Sequence, residues 1–119
     1  MATSRIPNRY GNIESEWITV DPAYNLNATK VFKCGKIKMV HLFFTGVQIR
    51  MPPKGQYTDV GTVPSGYEPS EAVVYVSYQT SGTLQIIAQY EVRIMTDGTI
   101  KVYNYTDKVL SAEISLTYF

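Results

Sequence analysis

Residues able to do chemistry are few in this chain. One histidine, His41, and one cysteine, Cys34, occur among 119 residues, so a single copy can build neither a Cys/His zinc site nor an intrachain disulfide. No glycine-rich phosphate loop, nucleophile elbow, paired-histidine helix or Cys/His dyad occurs at usable spacing. Asp21, Asp59 and Asp107 sit beside turn residues, where a carboxylate more often caps local amides than performs acid–base work. The sequence therefore predicts a protein that is not an enzyme and carries no cofactor or metal. His41 stands between Met39 and Phe43 in an apolar strand and reads as a hydrogen-bonded core or interface histidine; copies meeting on a symmetry axis offer the rarer use, a metal or anion site.

Recognition is chemically better supplied than catalysis. A sugar presents C–H faces to aromatic rings and hydroxyls to carboxylates and amides, which singles out Tyr57, Asp59, Tyr78 and Gln79 as candidate ligand-binding residues. Each also has a plain structural use: Tyr78 can end a buried strand, and Tyr57 can pack on Pro52 and Pro53. Charged residues make up 18% of the chain, below the roughly 25% of an average domain, while ten tyrosines give an aromatic inventory suited to sugar or subunit contacts.

Eleven Lys and Arg against ten Asp and Glu leave a net charge of +1, which supplies no global field toward nucleic acid or an anionic membrane. Lys30, Lys33, Lys36 and Lys38 cluster around one turn and read as solvated protection of a strand edge. Met1 to Trp17 lacks the apolar run of a signal peptide, and no stretch approaches the roughly 18 apolar residues of a membrane span, so neither secretion nor membrane insertion is expected. Without a secretory signal, Asn27-Ala28-Thr29 and Asn104-Tyr105-Thr106 read as chance matches to glycosylation acceptors.

The elements that must position these residues are strands. Residues 1–16 lack apolar periodicity and read as an N-terminal arm or linker; residues 17–119 read as one domain in which the period is two almost everywhere. The clearest strand is Leu84 to Ile94, with Leu84, Ile86, Ala88, Tyr90, Val92 and Ile94 on one face and Gln85, Gln89, Glu91 and Arg93 on the other. Asp97-Gly98 predicts a two-residue type I′ hairpin into Thr99 to Tyr105. Ala112 to Phe119 alternates again. Trp17 to Val20, Thr29 to Lys33, Lys36 to Thr45, Asp59 to Val63 and Glu71 to Tyr78 complete about eight antiparallel strands, the pattern of a β-sandwich or jelly roll. Two strands are apolar on both faces, at Met39 to Phe44 and Val73 to Val76, which predicts cover by another subunit or by the arm or a loop.

The segment Gly61-Thr62-Val63-Pro64-Ser65-Gly66-Tyr67-Glu68-Pro69-Ser70 has a physical reading of its own. Its prolines fix φ and remove ladder donors, Gly66 permits a tight turn, and Tyr67 can lie across a crossing chain, which makes a rigid corner between sheets. Followed by an apolar strand, a long strand, Asp97-Gly98 and a strand reaching Tyr118, it also resembles the distal C-terminal domains of bacteriophage tail-fibre and baseplate proteins. In that family the corresponding phrase carries leucine where Val63 stands and arginine where Glu68 stands. The resemblance spans residues 17–119, with Trp17 and the Lys33-Cys34-Gly35-Lys36 turn. It implies a homotrimeric β-sandwich on the virion, made in the bacterial cytoplasm, contacting other phage tail proteins and often a bacterial cell-surface saccharide. A purely structural trimerisation module and a carbohydrate-binding module of an enzyme are the alternatives.

Overall fold

A computed structural model of the chain describes residues 12–119; the first eleven residues, most of the expected arm, lie outside the described residues. Among the described residues the chain forms β1 (Ile13–Trp17), β2 (Thr19–Val20), β3 (Leu26–Asn27), β4 (Lys30–Cys34), β5 (Ile37–Phe44), β6 (Tyr57–Thr62), β7 (Val73–Thr80), β8 (Ile86–Ile94), β9 (Thr99–Asn104) and β10 (Ala112–Tyr118). A single 3-10 turn, Gln48–Arg50, is the one helical element among them. The expected all-β class is what the chain adopts.

The strands make two antiparallel sheets. The first runs β1-β4-β5-β10, with β3 also paired to β5, and the second runs β2-β6-β9-β8-β7. Period-two alternation turns Val31, Val40, Leu42, Phe44, Ile114 and Leu116 of the first sheet inward, against Val60, Ala88, Tyr90, Val92, Ile94, Ile100 and Val102 of the second. Phe44 and Tyr90 meet edge to face with ring centroids 5.4 Å apart, the arrangement their quadrupoles favour.

Several elements differ from the sequence expectation. The span Trp17 to Val20 is not one strand: Trp17 ends β1 in the first sheet, buried Ile18 bonds through its amide to Thr29 O at 2.8 Å, and Thr19–Val20 pairs with β6 in the second. The first sheet also begins earlier than expected, since Ile13 to Glu16 pair with β4. Every residue of β1 is exposed, so no apolar periodicity marked it. Leu84 is not a core residue; it sits at φ 63° in the turn before β8 and is 84% exposed. The Asp97-Gly98 hairpin exists, but as a three-residue loop rather than type I′. Only Gly98 has positive φ, its amide bonds to Met95 O at 2.8 Å, and the Met95 amide bonds to Thr99 O at 2.8 Å. That is a turn closed by a left-handed glycine bulge.

In the second sheet, β7, β8 and β9 form a meander and β6 returns beside β9, which is a single Greek key. The Gly61–Ser70 segment is its long connection. It links two strands of one sheet by passing over the end of the other, rather than turning a corner between sheets. Tyr67 N bonds to Pro64 O at 3.1 Å across Gly66, whose φ of 93° fits the third position of a type II turn. Lys33 Nζ donates to Gly66 O at 3.1 Å and lies 4.8 Å from the centroid of the Tyr67 ring, Lys38 Nζ donates to Glu68 O at 2.9 Å, and Ser70 N donates to Phe119 O at 2.7 Å. Two lysines of the basic turn thus hold this strap onto the first sheet.

Tyr118 closes the same end of the core. Its hydroxyl donates to Tyr67 O at 2.8 Å, and burial, reinforced by Glu68, pushes its pKa from 10.0 up to about 12. The folded state therefore holds this proton more tightly than the unfolded chain, so the contribution is complete below about pH 10 and is lost as pH rises toward 12. In thermal melts from pH 8 to 12, Tyr118→Phe is expected to be less stable than wild type at neutral pH by about 1 kcal/mol, the worth of the lost hydrogen bond. The gap should close at high pH; parallel curves would contradict this assignment.

Candidate functional site

The outward face of the second sheet carries the densest functional chemistry. Alternation that sends Ala88, Tyr90, Val92 and Ile94 inward sends Gln89, Glu91 and Arg93 outward on β8, and Lys101 and Tyr103 outward on β9. The β8–β9 register sets Glu91 opposite Tyr103 and Arg93 opposite Lys101; the β6–β9 register sets Tyr57 opposite Tyr103 and Asp59 opposite Lys101. A bulge at Val60 separates this register from the one beyond Gly61.

Three tyrosine rings form a row across these strands. Tyr57 and Tyr103 have centroids 5.0 Å apart, and Tyr103 and Tyr105 4.8 Å apart. Glu91 organises the row from beneath. It is only 7% exposed, and its carboxylate accepts from the Tyr57 hydroxyl at 3.0 Å, from the Tyr105 hydroxyl at 2.9 Å, and from Arg93 Nε. The Arg93 hydrogen bond, followed by those of the tyrosines, holds the Glu91 pKa below 4.5. Burial and the Glu91 bond raise the Tyr57 phenol, and the Glu91 bond and burial raise that of Tyr105. Near neutral pH the carboxylate is ionised and both phenols are donors, so the network is fixed in one polarity. The Arg93 guanidinium lies 5.1 Å from the Tyr57 ring centroid, and Lys101 Nζ bonds to Asp59 Oδ1 at 2.7 Å.

Of the four residues singled out from sequence, Tyr57 and Asp59 belong to this face and alternate on β6. Tyr78 shares the face, 59% exposed, but stands on β7 with β8 and β9 between. Gln79 does not join them: its register partner is Ala88, a core residue, so it points to the opposite side of the sheet. Glu91, Arg93, Lys101, Tyr103 and Tyr105 were not singled out as a site. Their signal was the polar alternation of β8 and β9, which by itself marks a solvent face and not a cluster.

The first sheet presents a second, more apolar face. Ile13 at 73%, Trp17 at 62% and Met39 at 52% exposure surround Phe32 and Ile37. His41 is on this face: its Nδ1 is 3.2 Å from Ser115 Oγ and its Nε2 is 4.0 Å from Glu113 Oε2. Serine, histidine and glutamate are triad types, yet the amides of β5 and β10 lie in the plane of the ladder and aim no donor pair at the space above Ser115, as acyl transfer requires. The cluster is a cross-strand polar contact. The described residues contain no group of three or more His, Cys, Asp or Glu able to hold a metal ion, and no helix among them is long and apolar enough to cross a membrane.

No protein-family model and no curated protein matches the chain.

Proposed function

We propose that this chain is a non-catalytic attachment domain, acting at the tip of a phage tail, that recognises a saccharide of the bacterial surface through the tyrosine face of its second sheet. The observation that carries the reading is the Tyr57–Tyr103–Tyr105 row with the hydroxyls of Tyr57 and Tyr105 anchored on a nearly buried Glu91. Rings held in fixed orientation lose little entropy when a sugar lies on them, and their solvent faces suit its C–H surface. Arg93, Lys101 and Asp59 supply charged partners for hydroxyl or acidic groups at the rim. Tyr78, beyond this cluster on the same face, offers a further ring for a longer chain. The full chain applied to an array of bacterial polysaccharides is expected to retain at least one, and Tyr103→Ala to lose it, since Tyr103 packs in the row without bonding Glu91. Failure of the wild-type chain to retain any would leave the purely structural reading.

The same proposal makes the active particle a homotrimer, resting on other tail proteins, in which copies of the chain cover the apolar face of the first sheet. Trp17, Phe32 and Met39 form an apolar surface of the kind that marks subunit contacts. On β7, Val74 at 53% and Val76 at 44% exposure add a second apolar stripe. Sedimentation equilibrium at micromolar concentration is expected to show trimer, and Met39→Glu to shift it to monomer. Wild-type chain that remains monomeric would overturn the assembly; a monomer that still binds polysaccharide would point to a carbohydrate-binding module instead.

A further inference from the structure

Beside the tyrosine row lies a recess of about 270 Å³ lined by Tyr57, Arg93, Met95 and Lys101. It falls just below the roughly 300–1,000 Å³ of sites for drug-sized ligands, a size suited to one sugar unit rather than a chain. Its lining charges are both positive. The two neighbouring acids, Glu91 and Asp59, do not line it; each binds one cation from outside, Glu91 at Arg93 Nε and Asp59 at Lys101 Nζ.

Those two bonds leave most of the donors uncommitted. A guanidinium has five N–H donors and an ammonium three. Among the described residues no hydrogen bond engages either terminal nitrogen of Arg93, while the Nε bond to Glu91 and the contact with the Tyr57 ring fix the plane of the group. An oriented guanidinium with free terminal nitrogens, a second cation in the same recess, an aromatic wall and the Met95 thioether together describe a receptor for a small ligand with an apolar face and an anionic substituent. We infer that this recess binds the acidic group of a charged sugar, a carboxylate or phosphate, so that the surface saccharide recognised is an anionic one. The inference rests on the saccharide reading above and adds the class of sugar. Charge-assisted hydrogen bonds are about twice as strong as neutral ones, so Arg93 and Lys101 discriminate acidic from neutral sugars rather than merely tolerating both.

An amide-resonance NMR titration of the full chain with methyl glucuronide, glucose 6-phosphate, methyl glucoside and inorganic phosphate tests this. Glucuronide and glucose 6-phosphate are expected to shift the amides of Tyr57, Arg93 and Lys101 saturably, with the glucoside at least ~10-fold weaker. Lys101→Gln should weaken the two acidic sugars several-fold more than the glucoside, which loses at most a neutral hydroxyl contact; Lys101 is partly exposed and its loss leaves the Glu91 network whole. Glucoside binding as tight as glucuronide would overturn the anionic specificity while leaving the saccharide reading intact. Inorganic phosphate matching glucose 6-phosphate would reduce the recess to a plain anion site and overturn the sugar-acid assignment. If none of the sugars shifts this face, the inference and the saccharide reading fall together.

Discussion

Glu91→Gln is expected to destabilise the fold by about 2 kcal/mol at neutral pH and to flatten the acid limb of its stability curve. The cost follows from what the side chain does: an ionised, nearly buried carboxylate accepts from Arg93 Nε and from two tyrosine hydroxyls. Glutamine keeps the shape but has one acceptor oxygen, and its amide turns N–H groups toward groups that are themselves donors. Hydrogen bonds to a charged group contribute roughly 1.5–3 kcal/mol, and solvent on the outer side of the sheet brings the expected loss toward the lower end. The pH dependence has a definite sign. Because the folded-state pKa is depressed below 4.5, the stabilisation is present above that value and is lost as pH falls through the lower, folded-state pKa. Asp97 and Glu68 are also depressed, by backbone amides, so the whole curve falls in acid; the difference between wild type and Glu91→Gln isolates this carboxylate. Urea melts from pH 2.5 to 7 should show that difference shrinking toward zero at the acid end. A constant difference would mean the network does not depend on the charge of Glu91.

Glu91 also shows what was legible in the sequence. Its placement on the polar face of a long strand follows from alternation alone, as does the inward set Ala88, Tyr90, Val92 and Ile94. The company it keeps does not. Tyr57 lies thirty-four positions away and reaches Glu91 only because β9 sits between β6 and β8 in a register broken by the bulge at Val60. Long-range register is set by turns and bulges, and a one-residue slip would send the Tyr57 ring to the other face. Tyr78 and Gln79, adjacent in sequence, are both candidates by residue type, yet inside a strand adjacent residues face opposite sides, and the structure separates them accordingly. β1 was illegible for a different reason: it is exposed along its whole length and packs only edge-on against β4, so burial left no pattern in it. The Gly61–Ser70 strap was recognised as rigid, but its path over the first sheet depends on Lys33, Lys38 and Tyr118, which lie far from it in the chain.

Gly98→Val is expected to destabilise the fold by about 3 kcal/mol, while Asp97→Asn should be nearly neutral. Two costs add at Gly98. Its φ of 92° is a region that a β-branched side chain resists, worth roughly 1–3 kcal/mol of strain. Space is also short: a Cβ there would stand 3.1 Å from Val63 O and 3.2 Å from Val63 Cγ2, and the valine methyls reach further, into a buried corner where overpacking costs roughly another 1–3 kcal/mol. The contact with Val63 is structural, since Val63 N donates to Gly98 O at 2.9 Å and so ties the start of the strap to the hairpin. Pushing Val63 away therefore loosens both the β8–β9 turn and the Greek-key connection. At Asp97 the φ is ordinary, so nothing in the backbone demands a special residue; its Oδ1 accepts from Thr99 N at 2.9 Å, and an asparagine Oδ1 can do the same. The turn thus assigns the burden to one residue, where a type I′ turn would divide it between two. Gly98→Ala separates the terms, because alanine meets the φ penalty and the first-atom contact without the branched methyls. Its melt is expected to fall between wild type and valine, and a valine variant as stable as wild type would mean that the strap does not pack on this turn.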